Sequence, residues 1–325
     1  MNKNIELVNF LLEQPGILFS ENCLENCKEL KSIKINSFVK SIDKWAFKNC
    51  SNLNDISFEK PSSLVSIGKR AFQGCCNLTQ IIIPSSIETI GKKAFEQCES
   101  LKIIKFDTPS SLTTIQKTSF FSCLIKEIVI PSSVTSIEDE SFSNCKLLKT
   151  IIFENPNSIT SIGQNAFSEC KSLTRFEIPP NVTTIEKDLF YRCKKLAEII
   201  IPSSVTKIES KAFFECTSLK EIILPSSITY IGEGAFEGCS LLTQITIPSS
   251  ITSIEDYTFC HCGSLTKINL PSSITSIGKN SFYECKLLTQ MIIPASVTSI
   301  ENNAFEKCTS LAEITLNSAL KSIGD

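Results

Sequence analysis

The stretch Pro202–Leu224, PSSVTKIESKAFFECTSLKEIIL, is followed at once by Pro225–Ile247, PSSITYIGEGAFEGCSLLTQITI, and these two copies decide the architecture. Further copies open at Pro248, Pro271 and Pro294, each a step of 23 residues. Towards the N-terminus they open at Pro179, Pro156, Pro131, Pro109, Pro84 and Pro61, with steps of 23, 25, 22, 25 and 23. Asn36 holds the same place one copy earlier, a degenerate half-copy precedes it, and Asn317 opens a partial last copy. A repeat this short cannot enclose a core of its own, so the chain reads as a stack of coils rather than as globular domains.

Counting the proline as position 0, apolar residues recur at positions 3, 6, 11, 17, 20 and 22, with a small residue often at 10. In the copy from Pro202 these are Val205, Ile208, Phe213, Leu219, Ile222 and Leu224, with Ala212. Positions 20 and 22 alternate with period two, the pattern of a strand with one buried face. Proline then ends the strand, because it has no N–H for a ladder, and the two serines are expected to close the turn on nearby backbone. Positions 3 to 6 predict a second short extended segment. The piece after it, such as KKAFEQC, has room for two helical turns at most. Two residues are added before Pro61, Pro109 and Pro156 (Glu59-Lys60, Asp107-Thr108, Glu154-Asn155), and one is missing after Cys123. All four changes fall between the apolar columns, where loop adjustments belong.

The motif L-x-x-I-x-I/L-P-x-S-I/V-x-x-I-G/E-x-x-A-F-x-x-C, carried by stretches such as 78–98 and 242–262, resembles the treponemal-type leucine-rich repeat of BspA-like surface proteins. The resemblance covers about residues 24–325. It implies a curved, right-handed leucine-rich-repeat stack, mainly short β-strands with short helical or 3-10 turns on the opposite side. It also implies attachment to host or matrix proteins, and a cell-surface location. Residues 1–29 are expected to form an N-terminal capping segment with the degenerate half-repeat, and residues 30–325 the repeats of about 23 residues, the last incomplete. Ile5, Val8, Leu11 and Leu12 fall on one side of a short amphipathic helix halted at Pro15-Gly16.

No secretory signal or anchor is read in the sequence: Glu6, Asn9 and Glu13 break the first apolar stretch. A cytoplasmic location is therefore the competing expectation to the surface. The sequence stops at Ile323-Gly324-Asp325, in mid-coil. Two readings follow: a fragment, or an end that meets a partner or a second copy. No apolar run approaches the roughly 20 residues of a membrane-spanning helix. With 32 Lys+Arg against 34 Asp+Glu and no long run of one sign, no basic stripe for nucleic acid is visible either.

Sixteen cysteines raise the question of chemistry. Thirteen occupy position 14, from Cys27 to Cys308, and equivalent side chains in successive coils point the same way, whereas a disulfide needs converging Cβ vectors. They are expected to be buried, reduced thiols, which suits a reducing compartment. Cys260-His261-Cys262 is the single meeting of His and Cys, and it lacks the four converging ligands of a zinc site. Hence His261 is expected in an exposed loop. The serines of the P-S-S turns have no histidine base, the acids form no recurring pair, and no glycine-rich phosphate loop appears. Neither metal, cofactor nor catalytic residue is expected. The sequons at Asn49, Asn77 and Asn181 each place a core-column residue at their centre, which marks them as products of composition.

In such a stack, partner recognition falls to positions that vary while the core columns stay fixed. On the strand these are 18, 19 and 21. The candidate partner-binding residues are Lys126, Glu127, Lys149, Arg175, Glu177, Glu198, Lys220, Glu221, Gln244, Lys267, Asn269 and Gln290. A rival surface lies at position 12, where Phe121, Tyr191, Phe214 and Tyr283 are aromatic. Aromatics of this kind either anchor a partner or tuck between the short helices. The expected function is non-enzymatic protein binding of the adhesion type, with an intracellular scaffold or self-associating structural protein as the alternative.

Overall fold

The computed structural model describes residues 19–324, so the amphipathic segment at Ile5–Leu12 lies outside the described residues. The chain divides into two compact units, Met1–Cys170 and Lys171–Asp325. Each is a parallel β-solenoid, as the repeat predicts, and each coil carries two short strands.

In the first unit the longer strands pair in twos: Ser32–Ile35 with Asp55–Phe58, Gln80–Ile83 with Ile103–Phe106, and Glu127–Ile130 with Thr150–Phe153. The second strand of each pair is the one followed by a two-residue insertion. These insertions are more than loop adjustments, because their first residues lengthen the pairing. The N–H groups of Glu59, Asp107 and Glu154 donate to the carbonyls of Ile35, Ile83 and Ile130, at 2.9, 2.9 and 3.0 Å. The short strands at positions 5 and 6 form one six-stranded parallel sheet, from Ser41–Ile42 to Ser161–Ile162.

In the second unit the longer strands are Arg175–Glu177 with Glu198–Ile200, Glu221–Ile222 with Gln244–Thr246 and Lys267–Asn269, and Gln290–Ile292 with Glu313–Thr315. The short strands group as three, Thr184–Ile185 to Tyr230–Ile231, and four, Ser253–Ile254 to Ser322–Ile323. Strand residues alternate exposed and buried, as in Arg175-Phe176-Glu177, which is the period-two signal of the sequence.

The segment expected to turn helically is a string of tight turns. In the coil from Asn36, Ala46, Lys48 and Cys50 donate to carbonyls three residues back, the 3-10 spacing, while Trp45, Phe47 and Asn49 donate to Lys69, Ala71 and Gln73 of the next coil. Left-handed residues at positions 9 and 13 stop any helix from propagating. Among the described residues, twenty-three non-glycine residues and Gly74, Gly234 and Gly238 have positive φ, and all of them fall at these two positions. Each such non-glycine residue costs about 1–2 kcal/mol, so the bonds to the neighbouring coil must hold it there. The described 3-10 helix, Pro156–Ser158, belongs to the third insertion, where the Asn155 side chain caps the N–H of Asn157.

The serines act differently from the expectation. At position 2, Ser204, Ser227 and Ser273 donate not to their own turn but to the carbonyls of Val182, Val205 and Ile251 in the preceding coil, at 2.9, 2.7 and 2.6 Å. Local closure survives where Ser62 and Ser110 accept from the N–H of Leu64 and Leu112, and where Ser158 also donates to the Asn155 carbonyl.

Each core is a set of columns. In the first unit the rings Phe47, Phe72, Phe95, Phe120, Phe142 and Phe167 follow one another at 5.1–5.6 Å. In the second, Phe190, Phe213, Phe236, Phe259, Phe282 and Phe305 do so at 5.4–5.7 Å. These spacings fall within the range of stacked aromatic pairs and match the rise from coil to coil.

Two stability outcomes follow. Phe213 is wholly buried between two rings, so Phe213→Ala is expected to cost about 3–5 kcal/mol in chemical denaturation. The opposite sign is expected at Ser281, whose buried hydroxyl has no partner at a position that is alanine in Ala212, Ala235 and Ala304. Ser281→Ala should raise stability by about 1 kcal/mol, measured in the same way.

Candidate functional site

The strand-lined face is built by positions 18, 19 and 21, which the pleat turns outward while 17, 20 and 22 fill the core. All twelve candidate partner-binding residues are exposed there. In the first unit Lys126 and Glu127 stand at the start of Glu127–Ile130, and Lys149 lies beside Lys126, its N–H donating to the Lys126 carbonyl at 2.8 Å. Exposed Val129 and Ile152 lie next to them. In the second unit Arg175 and Glu198 face each other across a strand pair and form an ion pair at 3.3 Å. Glu177 is opposite Ile200. Glu221 is in register with Gln244, and Gln244 with Lys267. Lys220 accepts at its carbonyl from Thr243.

Lys267, Asn269 and Gln290 come together around a shallow cavity of about 410 Å³ that also takes in Ile292 and Pro294. Beside these charges stand apolar side chains with nothing over them, above all Ile223 at 84% exposure and Ile292 at 61%.

A feature that sequence reasoning missed lies on the same face of the first unit. Between the pair ending at Asp55–Phe58 and the pair beginning at Gln80–Ile83 no strand ladder forms. A cavity of about 540 Å³ opens there, lined by Ile56, Phe58, Pro61, Ile82 and Pro84. The two insertions meet at its edge: Lys60 reaches past the intervening coil to Asp107, 2.9 Å away. Lys34 pairs with Glu59 at 2.7 Å, and this hydrogen bond, with that from the Ser37 N–H, holds the Glu59 carboxyl below its ordinary range. The signal was present in the alternation of long and short steps, but only stacking brings two insertions 48 residues apart into contact.

The position-12 aromatics are half-buried. Tyr191 and Phe214 stack on each other at 4.7 Å, with the Arg192 guanidinium 5.1 Å from the Tyr191 ring. Tyr283 accepts a hydrogen bond from Lys307. They pack against neighbouring coils along the row of turns rather than between helices.

The position-14 thiols are buried in most coils, and no disulfide forms among the described cysteines. The sequence offered no account of why cysteine recurs. In the structure the column thiols donate to the backbone carbonyl at position 11 one coil back, a core phenylalanine in most coils, as Cys239 does to Phe213 at 3.3 Å and Cys98 to Phe72 at 3.2 Å. For Cys50 it is a leucine, Leu24, at 3.1 Å. Burial pushes the Cys50, Cys145 and Cys239 thiols up to about 12. They are poor nucleophiles. His261 is exposed, 3.5 Å from Glu284, and Cys262 belongs to the buried column. Among the described residues no group of three His, Cys, Asp or Glu side chains is placed to hold a metal ion, and no helix is long and apolar enough to cross a membrane.

A coil that buries Leu, Ile, Phe and Cys in fixed columns and projects variable residues from its strand is the leucine-rich-repeat design. The model of the BspA-type leucine-rich repeat region matches residues 18–149, 148–251 and 230–325. The chain belongs to this family. It is similar to a leucine-rich repeat protein from Bacteroides ovatus, with 31% identity over 81% of this chain and 79% of that one and a TM-score of 0.63. Likeness in fold alone extends to a leucine-rich repeat protein from Eubacterium ventriosum (23% identity, 91% and 81% covered, TM-score 0.56). It also extends to the pneumococcal vaccine antigen PcpA (23%, 88% and 79%, 0.54). A comparison with curated proteins returns no match.

The thiol column has a pH signature. A thiol raised above its unfolded value, near 9, contributes stability that is complete below pH 9 and lost as pH rises towards the folded value of about 12. The denaturation midpoint is therefore expected to fall steadily between pH 9 and 11. Cys239→Ala should have a shallower fall than the parent protein over the same range.

Proposed function

We propose that this protein is a non-enzymatic recognition protein of the adhesion type that binds a protein partner across the outward strand positions of its coils. The observation that carries this reading is Ile223: a large apolar side chain, 84% exposed, on the same strand face as the charged Lys220, Glu221 and Lys267 and the polar Gln244. A side chain so placed adds nothing to the core, whereas an apolar centre with a polar rim is the anatomy of a protein contact. Leucine-rich-repeat solenoids are typically non-enzymatic, and the buried thiols with raised pKa values fit that pattern.

The intracellular scaffold is the second reading, favoured by a column of thiols that forms no disulfide, which suits a reducing compartment. It would use the same face, or an end-to-end contact of two copies. Surface biotinylation of intact cells separates the two: label on the protein supports adhesion, and its absence removes that role.

The face itself is tested by charge reversal. Lys220→Glu with Glu221→Lys exchanges two exposed residues, so stability is expected to stay within about 0.5 kcal/mol of the parent. In a pull-down, the variant should lose the partner that the parent retains. Identical partners for both would exclude this part of the strand face.

A further inference from the structure

The row of turns in the first unit carries a feature that the linear sequence conceals. At position 8, four successive coils present Lys44, Lys69, Lys92 and Lys117, with Glu21 before them and Asp139 after. Position 9 of the same coils holds Trp45, Arg70, Lys93 and Thr118. Backbone hydrogen bonds lock these residues side by side: the N–H groups of Trp45, Arg70 and Lys93 donate to the carbonyls of Lys69, Lys92 and Lys117 at 3.1, 3.0 and 3.1 Å. The rise per coil, 5.1–5.5 Å between the phenylalanine rings beneath, fixes the spacing of the row. Six cations stand against one acid, Asp43, at positions 7 to 9 of these coils. The absence of a basic stripe expected from the balanced sequence is thus corrected: residues 23 to 25 apart become neighbours.

The ends of the row are neutralised, and of the four cations at its centre one, Lys93, is paired. Lys44 pairs with Glu21 at 3.3 Å, Lys117 with Asp139 at 3.3 Å and Glu140 at 3.5 Å, and Lys93 with Glu96 at 2.7 Å. Lys69, Arg70 and Lys92 make no ion pair among the described residues, and Lys69 and Lys92 are exposed. The Arg70 Nε is buried without a hydrogen-bond partner, and the residue is half-buried between the two lysines. Like charges held at this spacing repel, and a chain bearing anionic groups at intervals relieves that repulsion while releasing its counterions.

We infer that this row is a binding site for an anionic polysaccharide, a chain of sugars bearing sulfate or carboxylate groups. A protein partner would need an apolar or aromatic anchor, and the one aromatic in the row, Trp45, is covered by the Lys44 ammonium 3.7 Å from its ring centre. The same cover removes the stacking platform that single-stranded nucleic acid needs. No helix or ribbon projects from the row to enter a duplex groove. Charges and hydrogen bonds alone suffice for a sulfated sugar chain. The site is on the turns, away from the strand face proposed for protein recognition, and stands independently of it.

The test uses heparin as the probe, with the intact protein. A protein of net charge −2 has no general affinity for a polyanion, so retention on immobilised heparin at low salt, and release as salt rises, would report the row. Lys69→Glu, Arg70→Glu and Lys92→Glu together are expected to weaken heparin binding by about tenfold or more in a fluorescence titration, with the circular dichroism spectrum unchanged. The strand-face variant Lys220→Glu should bind like the parent. Because the triple variant could misfold, Lys69→Gln with Lys92→Gln serves as a milder pair with a smaller loss in the same direction. The inference is overturned if the parent is not retained, if the milder pair binds like the parent, or if single-stranded DNA or polyglutamate of equal charge binds more tightly than heparin.

Discussion

A coil of 23 residues in this protein has too little interior to hold itself together; what it has is two flat faces, each shaped to fit its neighbour. The contact between those faces governs everything else. Phenylalanine lies on phenylalanine, isoleucine on isoleucine, and the thiol of one coil closes the carbonyl of the last. Backbone groups that a helix would satisfy internally are satisfied between coils instead. The turns can therefore adopt left-handed conformations at residues as unsuited to them as Thr118 and Tyr257, since the surroundings determine the backbone more strongly than the residue does.

Much of this was legible in the sequence because burial repeats with the same period as the chain. The columns through Val205, Ile208, Phe213, Leu219 and Ile222 fixed the interior, and the alternation at Glu221-Ile222-Ile223 fixed which side chains face outward. The turns were harder to read. KKAFEQC has a helix-like composition, but the hydrogen bonds that forbid a helix come from the adjacent coil, and no local propensity reports them. The serines show the same limit: a hydroxyl two residues after a proline looks like a local cap, and it serves a carbonyl 22 residues away.

The candidate surfaces divide along the same line. Exposure at Lys126, Arg175, Lys220 and Lys267 followed from strand alternation alone. What stands beside each did not: the Arg175–Glu198 pair, the cavity shared by Lys267, Asn269 and Gln290, and the Lys60–Asp107 contact all join residues at least 20 positions apart. Net charge hid the lysine row for a related reason. A sum over the chain cancels signs that the fold groups along a column, and reading down that column restores them.

The inter-coil bonds of the turns run mostly through backbone atoms, and side chains at position 8 add only a few, as where Asp139 and Asp256 accept from the N–H groups of Gln164 and Lys279. Tryptophan, arginine, lysine, threonine, glutamate, asparagine, aspartate, glycine and tyrosine all occur at position 9. That surface behaves like a printed strip with interchangeable type, in which each coil contributes one independent character. A lineage, or a designer, could rewrite its electrostatic message coil by coil without disturbing the scaffold beneath.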